Sequence, residues 1–219
     1  MRTIVYVDGF NLYYGSLRPT PQWPQGYRWL DLGALCTRLL PRDQVVAIKY
    51  FTARVRSAPW QAGQPVPSAA QETYLRALRT IPNLTIHFGH FLSHPVKRRL
   101  VGTPKRGSPY RMVWHTEEKG SDVNLASHLL IDGFRARYDM AVVISNDGDL
   151  KEPVHFVRHD LQAPVGVLNP HPKRSWALSP SSLPMGSFYK PIRPGALKAS
   201  QFPATLTDAR GSFTKPTNW

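Results

Sequence analysis

The sequence predicts an α/β domain with a mostly parallel central sheet covered by helices on both faces. Three observations predict it. Apolar, β-branched runs alternate with helical stripes along the 219 residues. The runs are continuously apolar rather than alternating, as in strands buried on both faces. A hydrophobic content of 42% supplies a core, and the length suits one domain with extensions.

Thr3-Ile4-Val5-Tyr6-Val7 reads as the first buried strand, stopping at Asp8-Gly9. A helix is expected over residues 10–17, ended by Pro19, and then a proline-rich loop over 18–28. Leu32, Leu35, Cys36 and Leu39 form a helical stripe within 30–40. Residues 45–55 read as the second strand and 57–68 as a Pro- and Gly-rich loop. Residues 68–80 follow as a helix with Ala70, Tyr74, Ala77 and Leu78 on one face. The third strand is expected over 84–92. Residues 95–116, with turn signals at Gly102, Pro104, Gly107 and Pro109, read as a basic hairpin or loop insertion.

Ser121 is expected to cap a helix over 121–137 with a stripe of Val123, Ala126, Leu130 and Phe134. Residues 140–144 form a wholly apolar fourth strand. Residues 149–159 are expected to be helical, with Pro153 in the first turn, and 163–168 to form the fifth strand. The chain thus divides into an α/β domain, 1–169, and a Pro/Ser-rich C-terminal extension, 170–219, expected to pack on it.

Lys and Arg number 28 against 14 acids, a formal net charge of +14. Such a surface attracts polyanions, of which nucleic acid is the commonest. Cys36 is the one cysteine, set among leucines, so it reads as an inert buried thiol and excludes an internal disulfide or a Cys-based zinc site. No apolar run is long enough for a membrane span or a signal segment, which places the protein in the cytoplasm with no membrane partner.

Two strands run directly into acids. The first ends in Asp8, and the fourth continues through Ser145-Asn146 into Asp147-Gly148-Asp149. Asp122 belongs to the first turn of the helix before the fourth strand. Parallel sheets build their sites at the carboxyl ends of strands, near the switch point in strand order. Carboxylates gathered there repel one another unless a cation lies between them. Oxygen donors suit Mg²⁺ or Mn²⁺, which can activate water against a phosphodiester. Singly, Asp8 could shape a turn, Asp122 could meet the helix dipole, and Asp147 and Asp149 could cap a helix. Their convergence on one edge favours a metal site.

Val7-Asp8-Gly9-Phe10-Asn11-Leu12-Tyr13 resembles the opening motif of NYN domains, PIN-like proteins related to the LabA-like group. Lys119-Gly120-Ser121-Asp122-Val123 resembles their second motif, and Ile144-Ser145-Asn146-Asp147-Gly148-Asp149-Leu150 their third. The resemblance implies a PIN-like three-layer α/β/α sandwich and Mg²⁺- or Mn²⁺-dependent RNA cleavage, and the chain as a whole reads as an endoribonuclease acting on single-stranded RNA. It implies Asp8, Asp122, Asp147 and Asp149 as metal ligands, directly or through water. Asn11, one helical turn after Asp8, is then suited to hydrogen-bond an acid or the substrate phosphate. Ser145 is suited to orient a carboxylate, and Lys119 to meet a phosphate.

Lys97, Arg98, Arg99, Lys105, Arg106, Arg111 and Lys119 are interleaved with Tyr110 and Trp114. Cations beside stackable rings suit single-stranded RNA and make binding salt-sensitive; the plainer reading is a solvated hairpin. Asp132 lies ten residues beyond Asp122, ~15 Å along a helix, so a surface or structural role is expected. Glu117 or Glu118 is near enough in sequence to act as an outer ligand. His155 and His159 follow Glu152 without forming HExxH, and His87, His90 and His94 cluster near the third strand. Two rivals stand beside the nuclease: a non-catalytic RNA-binding or protein-interaction module, and a phosphatase with Asp8 as nucleophile. The latter normally has a second Asp where this chain has Phe10. DNA as a substrate and a homo-oligomer are left open.

Overall fold

The computed structural model describes residues 1–21, 26–55, 68–102, 107–178, 186–217 and 219. In chain order the elements are β1 (Arg2–Asp8), α1 (Gly9–Leu12) running into a π-helical turn (Tyr13–Leu17), α2 (Leu32–Leu39), β2 (Gln44–Thr52), α3 (Ala69–Leu78) and β3 (Leu84–Phe88). Next come β4 (His90–Arg99), β5 (Tyr110–Lys119), α4 (Ser121–Phe134), β6 (Met140–Ile144), a 3₁₀ turn (Gly148–Leu150) and α5 (Lys151–His159). The chain finishes with β7 (Val165–Asn169), β8 (Phe188–Pro191), α6 (Pro194–Lys198), β9 (Thr205–Asp208) and β10 (Gly211–Thr214).

Six strands form one parallel sheet in the order β3-β2-β1-β6-β7-β8. Ile4 and Tyr6 of β1 face a core that includes Leu125 and Leu129 of α4 and Val154 and Val157 of α5. Val5 and Val7 face the other core, with Leu12, Leu35, Tyr74 and Leu78. Successive side chains of a strand point to opposite faces, and both faces here are covered by helices. The three-layer α/β/α sandwich follows, and with it the continuous apolar runs.

Several boundaries differ from expectation for physical reasons. The expected third strand is two strands parted at Gly89, whose N–H donates to Thr52 O at 2.8 Å as the chain leaves the sheet. Ser121 is not the cap of α4: Gly120 is, in the left-handed region at φ 98°. Ser121 instead donates its hydroxyl to Glu118 Oε2 at 2.5 Å. The buried stripe of α4 is Ser121, Leu125, Leu129 and Asp132, while Val123 and Phe134 are exposed. Both sets have helical spacing, and periodicity cannot say which one meets the sheet. The sheet draws its sixth strand, β8, from beyond Asn169. Cys36 is buried, and burial pushes its thiol up to about 12. The expected loop at 57–68 falls almost wholly outside the described residues.

Asp132 is fully buried and structural, not a surface residue. Its Oδ2 accepts from Tyr6 Oη at 2.7 Å and Lys49 Nζ at 2.5 Å, and its Oδ1 from Arg137 Nη1 at 3.1 Å. Burial opposes its ionisation, but the bonds from Lys49 and Tyr6 outweigh that and hold the carboxyl below its ordinary range. This cluster ties α4 to β1 and β2.

Candidate active site

β1 and β6 are neighbours at the centre of the sheet. The chain leaves β1 towards β2 and β3 on one side and returns to β6 on the other, so their carboxyl ends flank the switch point. Asp8 ends β1 and caps α1. The turn needs Gly9, because a Cβ there would stand 2.7 Å from the Phe51 carbonyl oxygen and the Tyr50 ring.

Asp8 is only 4% exposed. Its Oδ1 accepts the Asn11 backbone N–H at 2.9 Å and its Oδ2 the Ser145 hydroxyl at 2.9 Å. Burial pushes its carboxyl up to about 7; Asp122 and Asp147 add to the rise, and the Asn11 and Ser145 donors oppose it. Ser145 Oγ also accepts the Asp147 N–H at 3.0 Å, and Asp147 Oδ1 accepts the Asp149 N–H at 3.0 Å. The Asn11 side chain does not reach an acid: its Oδ1 accepts the Asn146 N–H at 2.8 Å. Asn146 Oδ1 in turn accepts from Ser175 N and Tyr189 Oη, and its Nδ2 donates to Lys173 O. These bonds fix the 145–149 segment between α1 and the 173–175 segment.

Asp122 stands in the first turn of α4 and is raised by burial, then by Asp147, Glu118 and Asp149. Asp8, Asp122, Asp147 and Glu118 line one pocket of about 450 Å³ with Asn11 and Ser121, walled by Phe10, Tyr14, Phe91 and His171. Phe10 and Phe91 meet edge-on, ring centroids 5.7 Å apart. A larger hollow of about 550 Å³ lies at the amino end of the sheet. Its acids are already engaged, Asp31 capping α2 and Asp43 pairing with the N-terminal amine.

Asp8, Asn11, Asp122 and Asp147 are therefore brought together, and Ser145 bridges two of the acids from behind. Asp149 is exposed and outside the lining, though close enough to raise Asp122. Lys119 does not face the pocket; its Nζ pairs with Glu117 at 3.1 Å. Glu118, not Glu117, turns towards the acids. His87 stacks on Phe51 and packs beside His128 rather than reaching the pocket. Lys105 and Arg106 lie outside the described residues. Sequence reading missed His171, whose Nε2 is buried without a hydrogen-bond partner. It follows the end of β7, so the strand-end rule could have found it. Phe91 is visible only through the pairing of β4 with β5.

The carboxylates in the lining are oxygen donors and mutually repulsive, which fits a hard cation. Among the described residues, no three His, Cys, Asp or Glu side chains converge as a preformed cage.

A parallel α/β/α sandwich with acids at its switch point is the architecture of a PIN-like nuclease. The chain belongs to the NYN domain family of that superfamily: the family profile matches residues 2–182. It is similar to 6-hydroxy-3-succinoylpyridine 3-monooxygenase HspA of Pseudomonas putida, 30% identical over 243 residues that take in 100% of this chain and 75% of that protein. Its fold resembles that of a protein of unknown function from Vibrio parahaemolyticus, with a TM-score of 0.52 and 17% identity over 88% of this chain and 94% of that one. Among the described residues, no helix is long and apolar enough to cross a membrane.

Proposed function

We propose that the chain is a Mg²⁺- or Mn²⁺-dependent endoribonuclease that hydrolyses single-stranded RNA. The observation that carries this reading is the desolvated Asp8 carboxyl sharing one open pocket with Asp122 and Asp147 at the switch point. These three, with Asp149 through water, would hold the ion. When bound, such an ion neutralises the acids, polarises the phosphodiester and lowers the pKa of a water. Ser145 orients Asp8 against Asp147, and Asn11 fixes the Asn146 backbone, so both set the spacing of the acids. Lys97 and Arg99, with Tyr110 and Trp114, supply cations and rings for RNA.

The test is hydrolysis of a labelled single-stranded RNA by purified protein with Mg²⁺, with Mn²⁺ and with chelator. Cleavage that needs the ion and disappears in Asp8→Asn and Asp147→Asn supports the reading. A wild-type protein that binds RNA and cuts none across metals and RNA types overturns it in favour of a binding module.

One observation favours a second reading. The Pseudomonas putida relative, which spans all of this chain, is named a monooxygenase of a hydroxypyridine. The Phe10, Tyr14 and Phe91 walls suit a small flat ring as well as a base. Dioxygen consumption that depends on both a hydroxypyridine substrate and a supplied two-electron reductant, with no RNA hydrolysis, would select this reading.

A further inference from the structure

β4 and β5 form a two-stranded sheet of their own, paired with no other strand among the described residues. Such a ribbon is marginal in isolation. The register sorts its side chains. Phe91 pairs with Glu118, and both line the acid pocket. Alternate residues share a face, so the pocket face continues through Ser93 and Thr116, Pro95 and Trp114, Lys97 and Met112, and Arg99 and Tyr110. The Ser93–Thr116 hydroxyl contact at 2.7 Å and Lys97 Nζ 5.1 Å over the Tyr110 ring agree with that sorting. Arg98 and Arg111 oppose each other on the reverse face, with His94, His115 and Glu117.

On the pocket face, Met112 is 63% exposed, Trp114 47% and Tyr110 42%. These partly exposed apolar and aromatic groups, beside Lys97 and Arg99, form a strip that begins at the acid pocket. Rings can stack only on unpaired bases, and cations beside them meet the phosphates between those bases. No acid lies on this face beyond Glu118, whereas the reverse face carries Glu117.

We propose that the pocket face of this ribbon is a track for single-stranded RNA, stacked on Trp114 and Tyr110 with its phosphates on Lys97 and Arg99. The reverse face, Arg98 and Arg111 included, is not part of it. The inference rests on the RNA reading of the acid pocket and assigns that site a single-stranded substrate. A strand of ten residues spans ~34 Å, within reach of a site of several nucleotides.

The experiment is fluorescence anisotropy of the full chain with a fluorescein-labelled U12 RNA in chelator, so that binding is read without cleavage. The same RNA annealed to A12 is the duplex arm. Trp114→Ala with Tyr110→Ala is expected to weaken single-strand binding at least about fivefold. Lys97→Gln with Arg99→Gln should lower the slope of log affinity against log salt by about 1.4. Arg98→Gln with Arg111→Gln, an equal charge change, should leave affinity within about twofold. Equal losses from the two faces would overturn the assignment, as would duplex binding as tight as single-strand binding. A wild-type dimer made monomeric by the Trp114/Tyr110 variant would mean that a second copy covers the strip. Face-dependent RNA binding without metal-dependent cleavage would sink the ribonuclease reading alone, and cleavage with face-independent binding would sink the track alone.

Discussion

The Ser145 hydroxyl donates to Asp8 Oδ2 at 2.9 Å while its oxygen accepts the Asp147 backbone N–H at 3.0 Å. One buried oxygen thus couples the acid at the end of β1 to the acid beyond β6. Ser145→Ala removes a donor that lowers the Asp8 carboxyl and leaves the Asp147 N–H without its partner. A lost hydrogen bond of this kind costs about 1 kcal/mol of stability. The Asp8 carboxyl then moves further up, so the acid limb of the pH–activity profile moves to higher pH. Activity at pH 7 should fall about twofold and recover at pH 8.5. A limb that does not move would separate Ser145 from the ionisation of Asp8.

Asp8→Asn should abolish cleavage and yet stabilise the metal-free protein. The folded carboxyl is near 7, above an unfolded value of about 3.9. Between those values the native state holds the extra proton, so the Asp8 contribution declines as pH rises through the window and stays low above it. The gap caps the effect at about 4 kcal/mol. His87 acts in the opposite sense. Burial, then His128 and Lys49, lower its ring to about 4, so the stability of neutral His87 is present above about 6.5 and lost as pH falls towards 4. The Asp8 effect is therefore read as a difference in melting temperature between Asp8→Asn and wild type, in chelator. That difference should grow from pH 5 to pH 8. A difference that is flat or shrinking would mean the carboxyl is not raised.

Asn11→Ala removes the acceptor for the Asn146 N–H at the start of the acid-bearing turn. An orphaned, partly buried N–H costs about 1–2 kcal/mol. Mispositioning the Asp147 turn should weaken Mn²⁺ binding about tenfold, a typical effect of residues that orient ligands. Calorimetric Mn²⁺ titration of wild type and variant measures it directly. Unchanged affinity would confine Asn11 to the fold.

How much of this was legible in the sequence depends on which interaction does the placing. Asp8 and Asp147 were legible because each follows a strand whose apolar run is unmistakable, and parallel sheets gather such ends. The fold class followed from the same runs. The α4 stripe was not legible, since Val123 and Leu125 begin equally regular helical series and only packing against Tyr6 and Phe51 chooses between them. Lys119 and Glu118 are neighbours with opposite fates: strand pairing turns Glu118 to the acids and Lys119 to Glu117. A one-residue difference in a strand reverses the face, and no local signal reports it. β8 was missed because its partner, β7, lies across a long connection.

Asp132 gives the sharpest test of a structural carboxylate against the catalytic ones. It accepts from Tyr6, Lys49 and Arg137 in a fully buried position. Asp132→Ala strands the Lys49 ammonium, only 12% exposed, with no carboxylate partner. Breaking a buried pair from one side costs about 3–5 kcal/mol. Replacing both partners with apolar groups is far milder, so Lys49→Met in the Asp132→Ala background should recover much of the loss. Urea unfolding of the two single variants and the double variant measures the coupling. Because Asp132 holds α4 to the sheet far from Asp122, cleavage per folded molecule should stay within about twofold of wild type, well short of the losses tied to acids that act in the reaction. A collapse of cleavage in a fully folded Asp132→Ala protein would move Asp132 from the framework to the chemistry.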